Sequence, residues 1–74
     1  MRHEMPTERL ERLVRRVEGE YLEMPGLQLT REQAQRLWAL DRATCVSVLD
    51  VLVNRRFLVR GTDHRYRRAR ERVT

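Results

Sequence analysis

The stretch LTREQAQRLWALDRATCVSVLDVLVNRRFLVRGTDHRYRR, residues 29–68, decides the fold. Its first signal is the pair Thr30 and Gln33, which has the spacing of a capping box, in which each side chain satisfies a free backbone N–H at a helix start. Asp41 gives a second helix start, because aspartate is a preferred N-cap residue. The stretch therefore predicts a helix, a short link, a second helix and two short strands joined by a polar turn.

The first helix of this stretch is predicted over residues 30–39. Ala34, Leu37 and Trp38 have the spacing of one helix face and are expected to point into the core. Leu40 is expected to anchor the turn that follows. Because only about two or three residues then separate this helix from the next, the two are expected to cross steeply.

The second helix is predicted over residues 41–55. Val46, Val51 and Val53 raise the local β propensity. A helix is still predicted, because the start is capped and the segment is longer than a typical strand of about five or six residues. One face is apolar at helical spacing and is expected to be buried: Cys45, Val48, Leu49 and Leu52. The opposite face carries Arg42, Ala43, Val46, Ser47 and Asp50.

A β-hairpin is predicted over residues 57–68, with strands at 57–60 and 65–68 and a turn at 61–64. In the expected register Val59 lies opposite Tyr66, a β-branched and aromatic pair of the kind that stabilises hairpins. A further short strand is expected at residues 27–29.

An N-terminal helix is predicted over residues 7–24, after a disordered lead at residues 1–6. Thr7 is its expected N-cap, and Pro25 and Gly26 are expected to end it. The inward stripe of this helix is expected to consist of Leu10, Leu13, Val14, Val17, Tyr21 and Met24.

Positive charge is concentrated at the C-terminal end of the chain. Residues 1–28 hold five Arg and six Glu, residues 29–54 hold three Arg and three acidic residues, and residues 55–74 hold eight Arg and two acidic residues. The excess therefore lies in the hairpin and in the basic tail 69–74, which indicates a polyanionic partner, most simply nucleic acid. There is no Lys, which indicates either a GC-rich genome or selection for the planar guanidinium fork.

Several classes of protein are disfavoured by composition. The one cysteine, Cys45, excludes an internal disulfide, and no Cys and His spacing suggests zinc or another metal. No apolar run approaches a membrane span and the polar N-terminus has no signal-peptide core, so a cytoplasmic protein is expected.

A thiol site made by Cys45, Asp63 and His64 is conceivable, but Cys45 lies on the apolar stripe, where a small buried cysteine is the ordinary choice. Neither an enzyme nor a cofactor is expected.

Residues 29–68 combine capped helices, buried apolar positions and a polar hairpin turn. The positions that carry the pattern are Leu29, Thr30, Gln33, Ala34, Leu37, Leu40, Asp41, Thr44, Cys45, Leu49, Leu52, Phe57, Leu58, Arg60, Asp63, Tyr66 and Arg67. The pattern resembles the winged helix-turn-helix superfamily of bacterial regulators, particularly the DNA-binding portions of MarR-like and IclR-like proteins. The fold class that this resemblance implies is mainly α with a small β-hairpin, a three-helix winged helix-turn-helix.

The resemblance also implies DNA binding, with helix 41–55 in the major groove and the hairpin as the wing. It implies two sets of contact residues. The base-reading candidates are Arg42, Ala43, Thr44, Val46 and Ser47. The backbone candidates are Arg55, Arg56, Arg60, His64, Arg65, Arg67 and Arg68.

The chain differs from the pattern of those families at three places. Arg55 and Arg56 stand where a glycine often separates the recognition helix from the wing, which predicts a non-glycine residue in the left-handed region. Asp63 and His64 stand where Asp-Gly is common at the wing tip. Asp50 places a negative charge on the expected DNA side, where it can pair only with a donor such as cytosine N4.

The leading hypothesis is a small transcriptional regulator that binds double-stranded DNA, most naturally as a homodimer, and is nucleoid-associated when bound. If five Arg neutralise phosphates, log affinity against log salt should have a slope of roughly −4 to −5. The alternative is a protein-interaction module that buries Val46, Val51 and Val53 in a partner, and pairing of helix 7–24 with its copy through Tyr21 or Leu22 is also open. An RNA-binding version stays open, although no aromatic stacking platform is visible.

Overall fold

The computed structural model describes residues 7–69, so the predictions for the lead 1–6 and for the tail beyond Ala69 lie outside the described residues. The chain forms three helices and a small antiparallel sheet of three strands, which confirms the predicted mainly α class and the order of elements. In these residues no helix is both long and apolar enough to cross a membrane. The elements are α1 (Thr7–Glu23), β1 (Leu29–Thr30), α2 (Arg31–Leu37), α3 (Arg42–Asn54), β2 (Leu58–Arg60) and β3 (Arg65–Arg68).

Helix α1 runs unbroken through Gly19 and ends before the turn at Pro25 and Gly26. Thr7 lies within the helix and not at its cap. The inward stripe is buried at Val14, Val17 and Tyr21, with Leu10 and Leu13 packed at its margin. The prediction that Met24 continues the stripe is wrong, because the helix ends at Glu23 and the Met24 side chain is 44% exposed.

Helix α2 begins at the predicted capping box. The Gln33 backbone N–H donates to Thr30 Oγ1 at 3.2 Å, and the Thr30 N–H donates to Gln33 Oε1 at 2.9 Å. Ala34 and Trp38 are buried as predicted. The prediction for Leu37 is wrong, because this short helix turns only the side holding Ala34 and Trp38 into the core and leaves Leu37 52% exposed.

Helices α2 and α3 are each followed, two residues after their last residue, by a residue with left-handed backbone. Ala39 has φ 54° and Arg56 has φ 64°. In each case the next N–H bonds five residues back, from Leu40 to the Gln35 carbonyl and from Phe57 to the Leu52 carbonyl, both at 2.9 Å. This is the Schellman ending, in which glycine usually occupies the left-handed position. The expected non-glycine residue between α3 and the hairpin is thus Arg56.

The link between α2 and α3 is residues 38–41, and α3 starts after Asp41 as predicted. The Asp41 side chain makes no N-cap hydrogen bond within bonding geometry, but the neighbouring Thr44 side chain lowers the pKa of this carboxyl. The face of α3 that was predicted to be buried lies in the core at all four positions: Cys45, Val48, Leu49 and Leu52.

The sheet has the order β1-β3-β2, so β3 is its central strand. Strand β1 lies further along the chain than the predicted 27–29 and pairs Leu29 with Tyr66. The predicted pairing of Val59 with Tyr66 is wrong, because Tyr66 lies opposite Arg60 and Val59 opposite Arg67. The register differs from the predicted one because the turn is one residue shorter than predicted.

Gly61 and Arg65 pair across the turn, since the Gly61 N–H donates to the Arg65 carbonyl at 2.9 Å. His64 takes a φ of 66° and its N–H donates to the Gly61 carbonyl at 3.0 Å. The loop between the paired residues therefore has three residues, a common hairpin length that ends in a left-handed residue. This moves the register by one position relative to a four-residue turn.

The core joins all three helices to the hairpin. The Tyr21 and Trp38 rings pack with centroids 6.2 Å apart, and the Tyr21 hydroxyl donates to the Tyr66 carbonyl at 2.9 Å. Burial raises the pKa of Tyr21. The buried core residues are Val14, Val17, Tyr21, Ala34, Trp38, Cys45, Val48, Leu49, Leu52 and Leu58.

Candidate nucleic-acid interface

The outward face of α3 presents small and charged side chains to solvent. Arg42, Ala43 and Ser47 are exposed, and Val46 is half-buried. Thr44 must be removed from the predicted base-reading set, because it is 8% exposed and faces the interior beside Asp41. The side of α3 that a partner can reach is therefore narrower than the sequence indicated.

One groove joins this face of α3 to the tip of the hairpin. Its volume is about 580 Å³, and α3, the start of α2 and the hairpin each form a wall. The lining residues are Thr30, Arg31, Glu32, Val46, Asp50, Arg60, Asp63, His64 and Tyr66. Arg31 and Glu32 were not among the predicted site residues, because their place in the groove depends on the pairing of β1 with β3, which sets Thr30 opposite Arg65.

Charges in the groove are mixed. Arg31 and Arg60 line it together with three acidic residues, Glu32, Asp50 and Asp63. Arg31 is held by Glu32, with 2.9 Å between Nη2 and Oε2. With two arginines against three carboxylates, the lining of the groove has a net negative charge when His64 is neutral.

Asp63 organises the hairpin tip. Its Oδ1 accepts the Arg65 backbone N–H at 3.1 Å, and its carboxylate lies 3.9 Å from Arg65 Nε and 3.5 Å from Arg67 Nη2. The backbone hydrogen bond from Arg65, together with the charges of Arg67 and Arg65, lowers the pKa of Asp63. Two of the predicted phosphate contacts thus already share one carboxylate, although such exposed pairs are individually weak.

Arg60 has a different setting at the same tip. Its Nη2 lies 2.6 Å from His64 Nδ1, and its guanidinium lies 6.0 Å from the centroid of the Tyr66 ring. Within residues 7–69 it forms no ion pair with a carboxylate. Arg60 is therefore the hairpin-tip cation whose charge is most available to a partner.

The remaining predicted phosphate contacts lie elsewhere. Arg55, Arg56 and Arg68 line a second cleft of about 260 Å³ at the base of the hairpin and the C-terminal end of α3. Arg55 also pairs with Glu11 of α1, at 3.0 Å. The structure therefore divides the predicted backbone-contact set into a tip group and a base group at opposite ends of the hairpin.

The apolar surface predicted as the alternative interface is mostly taken up by the fold. Val51 and Val53 pack against the core, and only Val46 of that set lines an open groove. Larger exposed apolar side chains occur instead at Leu22 and Leu37, outside α3.

The structure does not bring Cys45 together with Asp63 and His64, the three residues of the conceivable thiol site. Cys45 is buried and its thiol lies 3.8 Å from the Arg31 carbonyl, as a weak donor. It does not line the groove that holds Asp63 and His64. Burial raises the pKa of Cys45, which opposes formation of a thiolate. Among the residues that the structure describes, no three His, Cys, Asp or Glu side chains are grouped so as to hold a metal ion.

Comparison with protein-family models, with curated proteins and with solved structures yields no match for this chain.

Proposed function

We propose that the chain is a DNA-binding protein of the winged helix-turn-helix type, in which α2 and α3 form the helix-turn-helix and the β2–β3 hairpin is the wing. The observation that carries this proposal is the shared groove, which Val46 and Asp50 of α3 line together with residues of the hairpin tip. In winged DNA-binding domains the second helix enters the major groove while an adjacent element contacts the backbone. One duplex could meet both walls together.

The proposed base contacts are made by exposed side chains of α3. Arg42 and Ser47 lie on the outward face of α3 and are free to reach base edges, where Arg pairs with guanine and Ser with either partner type. Asp50 lies further along the same face. Its carboxylate would accept a hydrogen bond from the N4 amino group of cytosine and would repel phosphates and base acceptors. A face with so few donors predicts weak base discrimination.

Phosphate binding falls to the hairpin tip. Arg60 carries no carboxylate partner among residues 7–69, while Arg65 and Arg67 share Asp63. The tip therefore offers about two net positive charges. At about 0.9 per phosphate, two contacts give a salt slope of roughly −2, below the −4 to −5 expected for five independent Arg.

A single copy offers a small contact surface, and homodimeric binding to a two-part site would raise affinity. We include in the proposal that the protein acts on transcription as such a dimer in the cytoplasm, associated with the nucleoid. Analytical ultracentrifugation with and without a duplex of two half-sites tests this part, and a strictly monomeric complex would contradict it.

The function is tested by fluorescence anisotropy of a labelled duplex titrated with the protein at several salt concentrations. Binding in the micromolar range at low salt and a slope of roughly −2 are expected. Arg60→Gln should reduce the slope by about 0.9, whereas Arg42→Gln should relax the base preference with a smaller effect on the slope. Arg36→Gln is the matched control, because Arg36 is an exposed arginine of α2 that lies neither on α3 nor on the hairpin. Absence of binding at low salt contradicts the proposal.

A further inference from the structure

The cleft at the base of the hairpin is lined by more positive than negative side chains, unlike the groove. Arg55, Arg56 and Arg68 line it against one acidic residue, Glu18, and the aromatic Phe57 forms part of the wall. Three guanidinium groups thus face one carboxylate. At about 260 Å³ the cleft is below the roughly 300–1,000 Å³ of sites for drug-sized ligands, so it suits a small anionic group.

Arg68 is fixed in place but not neutralised. Its guanidinium stacks on the Phe57 ring with 4.5 Å from Cζ to the ring centroid. Its Nε is fully covered and has no hydrogen-bond partner among residues 7–69, and those residues supply no carboxylate that pairs with it. The covered Nε leaves no room for an ion beside it, so the two Nη groups are the part of the guanidinium that can donate to an anion in the cleft.

Arg56 is the second cation of the cleft, which it lines from the end of α3. It holds the left-handed position after this helix, with φ 64°, as Ala39 does after α2, so the backbone geometry belongs to the helix ending. The side chain adds a positive charge to the same cleft as Arg68.

Arg55 adds charge at the edge of the cleft. Its Nη2 pairs with Glu11 at 3.0 Å, but both side chains are partly exposed, so the pair is weak and leaves the guanidinium able to shift towards an anion. Glu18 offsets one of the three positive charges. The cleft keeps a net positive charge.

We propose that this cleft is an oxyanion site that binds a phosphate group, with Arg68 and Arg56 as its principal contacts and Arg55 at its edge. The planar fork of arginine donates two parallel hydrogen bonds to phosphate oxygens, and stacking on Phe57 presets the plane of one fork. Because the cleft lies at the opposite end of the hairpin from the groove, this site does not depend on the proposed DNA-binding function. The phosphate comes either from a nucleic-acid backbone or from a free phosphorylated compound.

The site is tested by titrating the ¹⁵N-labelled full chain with inorganic phosphate at constant ionic strength, without DNA. Saturable NMR shifts are expected at the Arg68 Nε–H and at the backbone amides of Phe57 and Ala69, with half-saturation on the order of 1 mM. Arg68→Gln should weaken binding about tenfold. Linear drift without saturation at these signals overturns the proposal.

Arg56→Gly keeps the test decisive if Arg68→Gln disturbs the fold, because glycine adopts the observed φ without strain. This variant should remain folded and weaken phosphate binding by roughly threefold. Arg36→Gln, which removes an arginine outside the cleft, should bind phosphate unchanged. Equal affinity of Arg56→Gly and the unaltered chain overturns the assignment.

A competition experiment with duplex DNA distinguishes the two sources of the phosphate. If a saturating duplex abolishes the phosphate-induced shifts, the site belongs to the nucleic-acid contact, and if the shifts persist on the complex, it serves a free phosphorylated ligand. Both results retain the oxyanion site. Failure of DNA binding with phosphate binding intact would remove the proposed function alone.

Discussion

The two ends of the β2–β3 hairpin carry the same residue type in opposite electrostatic settings. At the tip, Arg65 and Arg67 surround the carboxylate of Asp63. At the base, Arg68 lies on the ring of Phe57, and no carboxylate of residues 7–69 pairs with it. A count of arginines along the sequence treats these positions as equal, but the charge available to a partner differs between them.

The difference arises from the backbone at each end. A tight turn needs an acceptor for its exposed N–H groups, and Asp63 fills that need by accepting the Arg65 N–H. The same carboxylate then draws in the neighbouring arginines. The base has no such turn and is anchored in the core by Leu58, so Arg68 meets an aromatic ring instead of a carboxylate.

The largest expected effect tests how firmly the base is anchored. Leu58 is 1% exposed, whereas Val59, the next residue of the same strand, is 43% exposed. Leu58→Ala should lower the free energy of unfolding by about 2–5 kcal/mol, because it removes buried methyl groups and leaves a cavity. Val59→Ala should cost less than about 1 kcal/mol. Urea denaturation followed by Trp38 fluorescence measures both.

A similar loss in the two variants would show that the hairpin base is not held by burial. Circular dichroism in the absence of urea serves as the control, because both variants must keep the helical signal before their denaturation curves are compared.

The next effect concerns the hydrogen bond that ties the tip half of the hairpin to α1. The Tyr21 hydroxyl donates to the Tyr66 carbonyl at 2.9 Å, and Tyr66 lies opposite Arg60 near the turn. Tyr21→Phe should lower the free energy of unfolding by about 1–2 kcal/mol at neutral pH, because the carbonyl loses its buried donor.

The same contact predicts a pH dependence. Burial raises the pKa of Tyr21 above its ordinary 10.0, so the folded state holds the proton more tightly than the unfolded state. The stabilisation is complete below pH 10.0 and falls as the pH rises further, by up to about 1.4 kcal/mol per pH unit. The raised pKa of Cys45 adds a fall that begins near pH 9.0.

Urea denaturation between pH 8 and pH 11 separates the two contributions, because Tyr21→Phe should keep the decline due to Cys45 and lose the part due to the hydroxyl. An unchanged pH profile in this variant would mean that Tyr21 does not titrate with unfolding.

The helices could be predicted because their signals are local. The capping box at Thr30 and Gln33, and the buried spacing of α3, each lie within one or two turns. The register of the hairpin could not, since it depended on one torsion angle, the positive φ of His64. Thr44 was misplaced because the buried arc of α3 is wider than the four-residue stripe suggests.

The candidate site was predictable in composition but not in arrangement. The sequence placed the excess arginine in the hairpin, yet which cation is neutralised depends on contacts between distant segments, such as Arg55 with Glu11. The pairing of β1 with β3, which brings Arg31 to the groove, likewise rests on only two residues. Local patterns carry no information about such pairs.

The smallest expected effect tests whether Asp63 limits the charge of the tip. Asp63→Asn keeps an oxygen that can accept the Arg65 N–H, but it removes the charge that Arg65 and Arg67 share. If the tip contacts DNA, the freed arginines should add about one phosphate contact, steepening the salt slope by about 0.9 and strengthening binding at low salt by roughly fivefold. Glu23→Gln changes the net charge by the same amount, but Glu23 lies at the end of α1 and lines neither the groove nor the cleft. Anisotropy titrations of the two variants side by side therefore separate a local release of arginine from a general charge effect, and equal strengthening in both would show that the difference between tip and base has no bearing on DNA binding.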